Sequence, residues 1–222
     1  MFVTVPDRTE ISSFERKLAT LDNVLEADLF AHVVKEVAAL IETERSYLPT
    51  HKKGGTVAYS VLREKAPTLV GHYQSATLRR LVSRIVGEDV KPTALHDESS
   101  CSVLFYEKPG DHINWHYDHN FYRGRHFTVL IPVVNRGRES GLSSARLLAK
   151  QGGRGVEVTT QPNRLIVFEG AKVRHKVTPI SEGERRAVWS MTYCTDPRNS
   201  AFQGMARRVK DTAFFGLRSL WT

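Results

Sequence analysis

The chain has 222 residues, of which 41% are hydrophobic and 25% charged, and this composition of a folded globular protein excludes wholesale disorder. A formal net charge of +8 indicates an acidic partner, such as a carboxylate substrate, a phosphate or nucleic acid, but scattered Lys and Arg are equally typical of a solvated surface. The two cysteines, Cys101 and Cys194, form no CxxC spacing, which excludes a disulfide framework and a zinc–cysteine site.

The beginning of the sequence lacks the basic start and apolar stretch of a secretory signal. No apolar run reaches the roughly 20 residues that are needed to span a bilayer. We therefore expect a cytoplasmic protein with free thiols and no membrane partner.

The first hundred residues indicate helices. Residues 20–42 carry apolar side chains at helical spacing, and a second such stripe occupies residues 75–87, where Gly87 marks the end of the helix. Between them, residues 44–71 mix Pro, Gly and charge, which predicts irregular structure with a short strand at most.

After about residue 100 the pattern changes to short apolar runs separated by Gly, Pro and Asn, which is typical of a β-sandwich or jelly-roll barrel. Pro132 within one run indicates an edge or a bulge. The predicted strands are 101–106, 126–134, 145–149, 155–160, 164–168 and 187–193. The simplest architecture is one domain over 1–222, mainly β with flanking helices: a helical support region at 1–99, a β core at 100–195 and a helical segment at 196–222.

The densest chemistry lies in the sequence HINWHYDH. His116 and Asp118 flank one residue, so on an extended strand both side chains project from the same face. Two imidazoles and one carboxylate suit Fe(II) and leave positions open for a co-substrate and dioxygen. The third ligand must come from elsewhere, and the candidate is His175. Arg185 lies ten residues further on, and inside a β core it would need an anionic partner such as a carboxylate.

These motifs carry a family resemblance. The stretch FYEKPGDHINWHYD, followed by HKVTPISEGERRAVW, resembles the Fe(II)/2-oxoglutarate oxygenase superfamily, most closely its prolyl 4-hydroxylase-like branch. That branch has an H-x-D strand and a later H-x-V-x-P…G-x-R pattern, which this chain matches in order with His175, Val177, Pro179, Gly183 and Arg185.

The resemblance covers about residues 100–195 and implies a double-stranded β-helix. It implies iron bound by His116, Asp118 and His175, with Arg185 holding the C5 carboxylate of 2-oxoglutarate. It also places Tyr106 where prolyl hydroxylases carry a tyrosine that contacts the co-substrate. The implied activity is a dioxygenase that couples C–H oxidation to release of succinate and CO2.

Two positions depart from the prolyl hydroxylases. A tyrosine that helps to hold the C5 carboxylate is replaced by Val133, and Thr128 is the candidate hydroxyl in its stead. Their tryptophan past the arginine corresponds roughly to Met191. These departures weigh against peptidyl proline as the substrate.

Residues near the H-x-D motif are candidates for substrate binding. His119 and Asn120 follow the carboxylate directly and are placed to reach the mouth of the site. Tyr122 and Arg123 stand beside the entrance, where a cation would recognise an anionic group, and Trp115 is the fifth candidate. Each also has an ordinary structural interpretation, as part of a solvated loop or, for Trp115, as a core or wall aromatic.

The favoured function is therefore oxidation of a small molecule or amino-acid derivative. The alternatives are a protein hydroxylase, a nucleic-acid dealkylase and a non-catalytic binding module. Dealkylases carry a second arginine six residues past the first, where this chain has Met191. Asp118 argues against a halogenase, because halogenases of this superfamily vacate the carboxylate position for the halide.

Overall fold

A computed structural model describes residues 17–43, 46–47, 52–93, 97–151 and 154–198. These contain four helices: α1 (Ala27–Thr43), α2 (Tyr59–Lys65), α3 (Pro67–Tyr73) and α4 (Ala76–Val86). The first strands are β1 (Leu18–Leu21), β2 (Ser46–Tyr47), β3 (Lys52–Lys53), β4 (Gly55–Val57), β5 (Lys91–Pro92) and β6 (Cys101–Tyr106). The later strands are β7 (His112–His116), β8 (His126–Arg136), β9 (Leu147–Gln151), β10 (Arg154–Val158), β11 (Leu165–Phe168), β12 (Arg174–Val177) and β13 (Arg185–Cys194).

The strands form two antiparallel sheets. The larger has the order β1-β11-β8-β13-β6-β4-β2, with β5 also paired to β13, and the smaller has the order β10-β9-β12-β7-β3. Apart from β9 with β10 and β2 with β4, neighbouring strands are far apart in sequence, as in a double-stranded β-helix. The predicted mainly β fold with flanking helices is therefore confirmed.

Each face of the larger sheet has its own apolar core. The helices pack on the outer face, against a cluster that includes Phe127, Ile131, Trp189 and Tyr193. A second cluster, which includes Phe168, lies between the two sheets. Alternation along β8 and β13 sends neighbouring residues to opposite cores.

The N-terminal region also supplies strands. β1 pairs with β11, β3 with β7 and β4 with β6, so residues before 99 extend both sheets besides supporting them. The prediction that residues 44–71 are irregular, with a short strand at most, is wrong: this range contains β2, β3 and β4, all of α2 and most of α3. Tyr59, Leu62 and Leu69 of α2 and α3 are buried, so tertiary packing stabilises two short helices whose local pattern is weak.

The predicted helix at 75–87 is confirmed. Ser75 caps α4 by accepting a hydrogen bond from the backbone N–H of Leu78 at 3.1 Å, and Gly87 ends it with φ 75°. The helix predicted at 20–42 begins only at Ala27. The backbone just before the helix is hydrogen-bonded to the side chain of Asn163. This side chain accepts from the Leu25 N–H at 2.9 Å and donates to the Leu25 carbonyl at 2.8 Å.

The irregularity expected at Pro132 is a bulge and not an edge. Strand β8 lies between β11 and β13, and its register against β13 shifts between the pairs Ala187–Val134 and Val188–Pro132. Val133 is therefore the extra residue. The helical segment expected at 196–222 falls, beyond residue 198, outside the described residues. Within the described part, none of the helices has the length and apolar character to cross a membrane.

Candidate metal centre and the cavity around it

The smaller sheet and the segment that follows β7 bring His116, Asp118 and His175 together. One ligand atom from each lies within 4.8 Å of the others. His116 and His175 are cross-strand partners on β7 and β12, and their ring centroids are 4.1 Å apart. Asp118 Oδ1 is 3.6 Å from His116 Nε2 and 3.8 Å from His175 Nε2. This donor set and its spacing fit a divalent metal such as Fe(II).

Asp118 comes after β7 has ended, so strand geometry alone does not orient it. Its backbone N–H donates to the Gly170 carbonyl at 3.1 Å, and the Thr128 hydroxyl donates to its Oδ2 in a short hydrogen bond. Gly170 lies so close that a Cβ there would meet Asp118 Oδ2 at 2.6 Å. Two distant residues, Thr128 on β8 and Gly170 after β11, therefore hold Asp118 in place.

Backbone carbonyls orient both histidines. Nδ1 of His116 lies 2.7 Å from the Asn114 carbonyl, and Nδ1 of His175 lies 3.0 Å from the Val173 carbonyl. A carbonyl only accepts, so each Nδ1 carries the proton and each Nε2 presents its lone pair to the centre.

Electrostatics within the cluster favour an ionised carboxylate. Burial opposes ionisation of Asp118, but His175, His116 and the Thr128 hydroxyl outweigh it and hold the Asp118 pKa well below its usual value. Burial lowers the pKa of His175. For His116, burial is outweighed by the hydrogen bond and charge of Asp118, which raise its pKa.

The sequence predicted that Arg185 points into the β core, but the arginine that does so is Arg186. Arg185 is exposed, whereas Arg186 is 3% exposed and lines the cavity with all three metal-ligand candidates. Ala187, Trp189, Met191 and Tyr193 on β13 pack against the helices, which leaves Arg186, Val188 and Ser190 on the cavity face. The sequence shows an apolar and a more polar face of this strand, but only the packing of the apolar face against the helices shows that Arg186 lines the cavity.

Tyr106 and Arg186 form a pair on the cavity wall. They are direct cross-strand partners on β6 and β13, and the Arg186 guanidinium carbon lies 5.1 Å from the centre of the Tyr106 ring. Within the described part of the chain, the buried Tyr106 hydroxyl and Arg186 Nε have no hydrogen-bond partner. Burial raises the pKa of Tyr106 to about 12, so its phenol stays neutral and able to donate.

Thr128 lines the cavity as expected, but its hydroxyl donates to Asp118. Val133, expected where prolyl hydroxylases carry a tyrosine, faces the helices, while Leu130 of the same strand lines the cavity. Side chains alternate between the two faces along β8, and the bulge at Val133 shifts this alternation, so Val133 points to the helices and not into the cavity.

The five substrate-binding candidates do not line the cavity. Tyr122 is 3% exposed, and its hydroxyl donates to Asp97 at 2.6 Å, so its predicted place at the entrance is wrong. Asn120 shapes the turn by donating to the Gly124 carbonyl at 2.7 Å. His119 is exposed and packs edge-to-face against Phe121, with ring centroids 5.9 Å apart.

The other two candidates lie at the surface. Arg123 is exposed. Trp115 lies on the outer side of the smaller sheet, where the cationic groups of Lys150, Arg174 and Lys176 stand 5.0, 5.8 and 5.2 Å from its ring centre. Sequence reasoning missed Leu130, Phe168 and Ser190, which do line the cavity.

Two protein-family models match this chain. The family model of Halogenase D matches residues 8–138, and that of the 2OG-Fe(II) oxygenase superfamily matches residues 101–193. A comparison with curated proteins gives no match.

Several solved structures share the fold. The non-heme alpha-ketoglutarate-dependent epimerase SnoN from nogalamycin biosynthesis matches with TM-score 0.68 and 16% identity, covering 88% of this chain and 87% of that chain. A Pseudomonas putida prolyl-4-hydroxylase gives TM-score 0.63 and 18% identity, covering 86% and 98%. EctD from S. alaskensis with 2-oxoglutarate and 5-hydroxyectoine gives TM-score 0.66 and 13% identity, covering 85% and 76%. These likenesses confirm the double-stranded β-helix.

Proposed function

This chain belongs to the Halogenase D family and to the 2OG-Fe(II) oxygenase superfamily, and on that premise we propose that it hydroxylates an unactivated C–H bond of a small molecule. Iron and 2-oxoglutarate are the cofactors of an oxygenase of this superfamily. The observation that carries the proposal is the complete set of two imidazoles and one carboxylate on the cavity wall.

His116, Asp118 and His175 would hold the iron. Bound there, the iron with 2-oxoglutarate and O2 supplies the oxidising power for the C–H bond, with succinate and CO2 as the co-products. The chain's own part is to present two Nε2 lone pairs and an ionised carboxylate in fixed positions on the cavity wall, where they would hold the metal.

Arg186 and Tyr106 would bind the distal carboxylate of 2-oxoglutarate. The proposal is supported by a buried guanidinium that makes no ion pair with any described residue, since a buried charge without a partner is costly. A carboxylate supplies the missing charge through parallel N–H···O bonds, and the Tyr106 phenol is placed to donate a further one.

Asp118 decides between hydroxylation and halogenation. The Halogenase D match makes halogenation the second candidate, and the matched residues include His116 and Asp118. Halogenases of the superfamily that this chain resembles lack the metal-binding carboxylate, so that a halide can bind in its place. Here the carboxylate is present, ionised and fixed by Thr128 and the Gly170 backbone, which favours hydroxylation.

The remaining alternatives have less support. Counted from Arg186, the position of the second arginine of the dealkylases is Thr192, and counted from Arg185 it is Met191, so neither count finds an arginine. Apart from its ligand and pair residues, the cavity is mostly apolar, with walls of Leu130, Phe168 and Val188 among others. A small and largely apolar substrate suits those walls.

The test is succinate formation from 2-oxoglutarate with Fe(II) and O2 across a set of small molecules, in chloride-containing buffer, with mass detection of products. We expect a product heavier by one oxygen atom, which is lost in His116→Ala and Asp118→Ala. A product carrying chlorine instead would establish halogenation. If no substrate gives turnover and neither iron nor 2-oxoglutarate binds, the oxygenase proposal is wrong.

A further inference from the structure

Ser190 is the one residue of β13 after Arg185 that is not buried. Every other residue from Arg186 to Cys194 is buried, whereas Ser190 is partly exposed. Strand β13 lies between β6 and β8, so this exposure does not arise at a sheet edge. It arises at the cavity, which Ser190 lines together with the metal-ligand candidates. The serine side chain therefore faces an open space inside the protein.

The Ser190 hydroxyl has no hydrogen-bond partner among the described residues. Its cross-strand neighbours are Ser102 on β6 and Leu130 on β8, and neither side chain is hydrogen-bonded to it. The wall around it is mostly apolar, with Leu130 and Val188 among its members. A polar group that leaves water without gaining a hydrogen bond costs free energy, so a hydroxyl at this place suits a ligand that accepts one.

The strand register shows where along the cavity Ser190 lies. Thr128, whose hydroxyl donates to Asp118, is paired with Thr192 on β13, so the metal-ligand carboxylate lies at the level of Thr192. Arg186 lies six residues before Thr192 on the same strand, which corresponds to roughly 20 Å of antiparallel backbone. Ser190 lies between them, two residues from Thr192 and four from Arg186.

His175 agrees with that level. Its ring lies 4.7 Å from the ring of Phe168, measured between centroids, and Phe168 is the partner of Thr128 on the other side of β8. Two of the three ligand candidates thus lie near the row of residues that contains Thr128. Ser190 belongs to the next inward-facing row toward Arg186, beside Leu130.

This position matches one end of the co-substrate. When the distal carboxylate of 2-oxoglutarate is bound at Arg186, its 2-oxo acid end extends along the cavity toward the metal-ligand candidates and passes Ser190. The oxygens of that end accept hydrogen bonds, and a serine hydroxyl is able to donate one.

We propose that Ser190 binds the 2-oxo acid end of 2-oxoglutarate by donating a hydrogen bond from its hydroxyl. This inference rests on the proposed function, because it takes Arg186 as the residue that binds the distal carboxylate. Ser190 and Arg186 then contact opposite ends of one ligand and together fix its orientation in the cavity.

Two substitutions of nearly equal shape isolate the hydroxyl. Threonine keeps a hydroxyl and valine does not, and both residue types are favoured in strands. Calorimetric titration of 2-oxoglutarate into the full-length chain with Mn(II) compares wild type, Ser190→Thr and Ser190→Val. We expect Ser190→Thr to bind like wild type and Ser190→Val to bind at least about tenfold more weakly, since a hydrogen bond to a charged group contributes about this factor or more.

Mn(II) affinity without 2-oxoglutarate is the control for damage to the metal centre. It should be equal in the three proteins, because Ser190 is not one of the ligand candidates. If Ser190→Val weakens Mn(II) binding as much as it weakens 2-oxoglutarate binding, Ser190 acts through the centre and the proposal is wrong.

Arg186→Gln, alone and combined with Ser190→Val, tests which end of the ligand Ser190 contacts. Contacts at opposite ends are independent, so the two losses of affinity should multiply. A combined loss no larger than that of Arg186→Gln alone would mean that both residues bind the same carboxylate, contrary to the proposal.

Equal 2-oxoglutarate affinity in Ser190→Thr and Ser190→Val overturns the role of Ser190 and leaves the proposed function intact. If wild type with Mn(II) does not bind 2-oxoglutarate at all, the proposed function is wrong, and the role of Ser190 is wrong with it.

Discussion

At the scale of single residues, the same local device orients both histidines. In His116 and in His175, Nδ1 lies next to the carbonyl of the residue two positions earlier, so the backbone itself selects the tautomer. The sequence named these histidines and Asp118 correctly as members of one cluster, because H-x-D spacing and a later histidine are local features. It chose the wrong arginine, because Arg185 and Arg186 are adjacent and only packing shows which one faces inward.

Substitution of Arg186 and, separately, of Arg185 tests which of the two binds 2-oxoglutarate. Arg186→Gln should weaken binding of 2-oxoglutarate in the presence of Mn(II) by at least about tenfold, since a charge-assisted pair contributes roughly 1.5–3 kcal/mol. Arg185→Gln, one residue away and exposed, serves as the control and should bind 2-oxoglutarate like wild type. Equal weakening in both variants, measured by calorimetry, would contradict the role of Arg186.

Glu184 offers a prediction about pH. Burial opposes its ionisation, but hydrogen bonds from Ser144 and from the backbone of Ser181 outweigh this and lower the Glu184 pKa. The carboxylate accepts from the Ser144 N–H and hydroxyl at 2.7 Å each and from the Ser181 N–H at 2.8 Å. A pKa that is lower in the folded state adds stability above the unfolded-state pKa, and this contribution is lost as pH falls through the folded-state pKa.

Glu184→Gln should therefore reduce the free energy of unfolding at pH 7 by about 1–3 kcal/mol. The difference from wild type should be smaller at about pH 3, because the contribution is lost as pH falls below the ordinary glutamate pKa of about 4.3 and through the lowered pKa of Glu184. Urea unfolding at both pH values measures it, with the exposed Glu182→Gln as control. A difference that is the same at both pH values would exclude the ionised carboxylate as its cause.

At the scale of elements, patterns over six or more residues predicted type and position well. Strand β6 was predicted with its observed bounds, and α4 to within one residue at each end, because Ser75 and Gly87 are local signals. The prediction failed for α2 and α3, whose buried faces are stabilised by distant residues. It also failed for the start of α1, which is decided by Asn163, 138 residues from Leu25.

Gly170, in the turn after β11, shows how an element positions the centre. A Cβ at this position would meet Asp118 Cβ and Thr128 Oγ1 at 2.8 Å each. Gly170→Ala should displace the carboxylate and weaken metal binding by about 10–100-fold, the range found for groups that support metal ligands. Mn(II) binding, followed by electron paramagnetic resonance, measures the effect.

Gly71→Ala is the matched control, because a Cβ there meets nothing within 4 Å on α3. It should leave Mn(II) affinity unchanged and stabilise the fold by about 0.5–1 kcal/mol. Unchanged Mn(II) affinity in Gly170→Ala would mean that Asp118 is not held by this contact.

At the scale of the whole molecule, the centre joins the two sheets. His116 and His175 belong to the smaller sheet, whereas Thr128 and Arg186 belong to the larger one. Metal and co-substrate would therefore connect the two sheets, and their binding free energy adds to the stability of the folded chain.

Mn(II) with 2-oxoglutarate should raise Tm of the wild type. A ligand at 100 times its dissociation constant contributes about 2.7 kcal/mol, or roughly 5–10 °C for a chain of this size. His116→Ala should lose most of this shift while retaining the Tm of the ligand-free wild type to within a few degrees. Calorimetry with and without the ligands is the measurement, and an equal shift in His116→Ala would place the metal elsewhere.

The sequence by itself determined the fold class, most strands, the capped helix α4 and the three candidate ligands, because each depends on spacing within a short segment. The tertiary structure decided which arginine lines the cavity, which side of β8 faces it, and that Thr128 donates to Asp118. These depend on the register between strands, on the extra residue at Val133 and on the helices that cover one face of the larger sheet. Such relations join segments far apart in the chain, so no local pattern contains them.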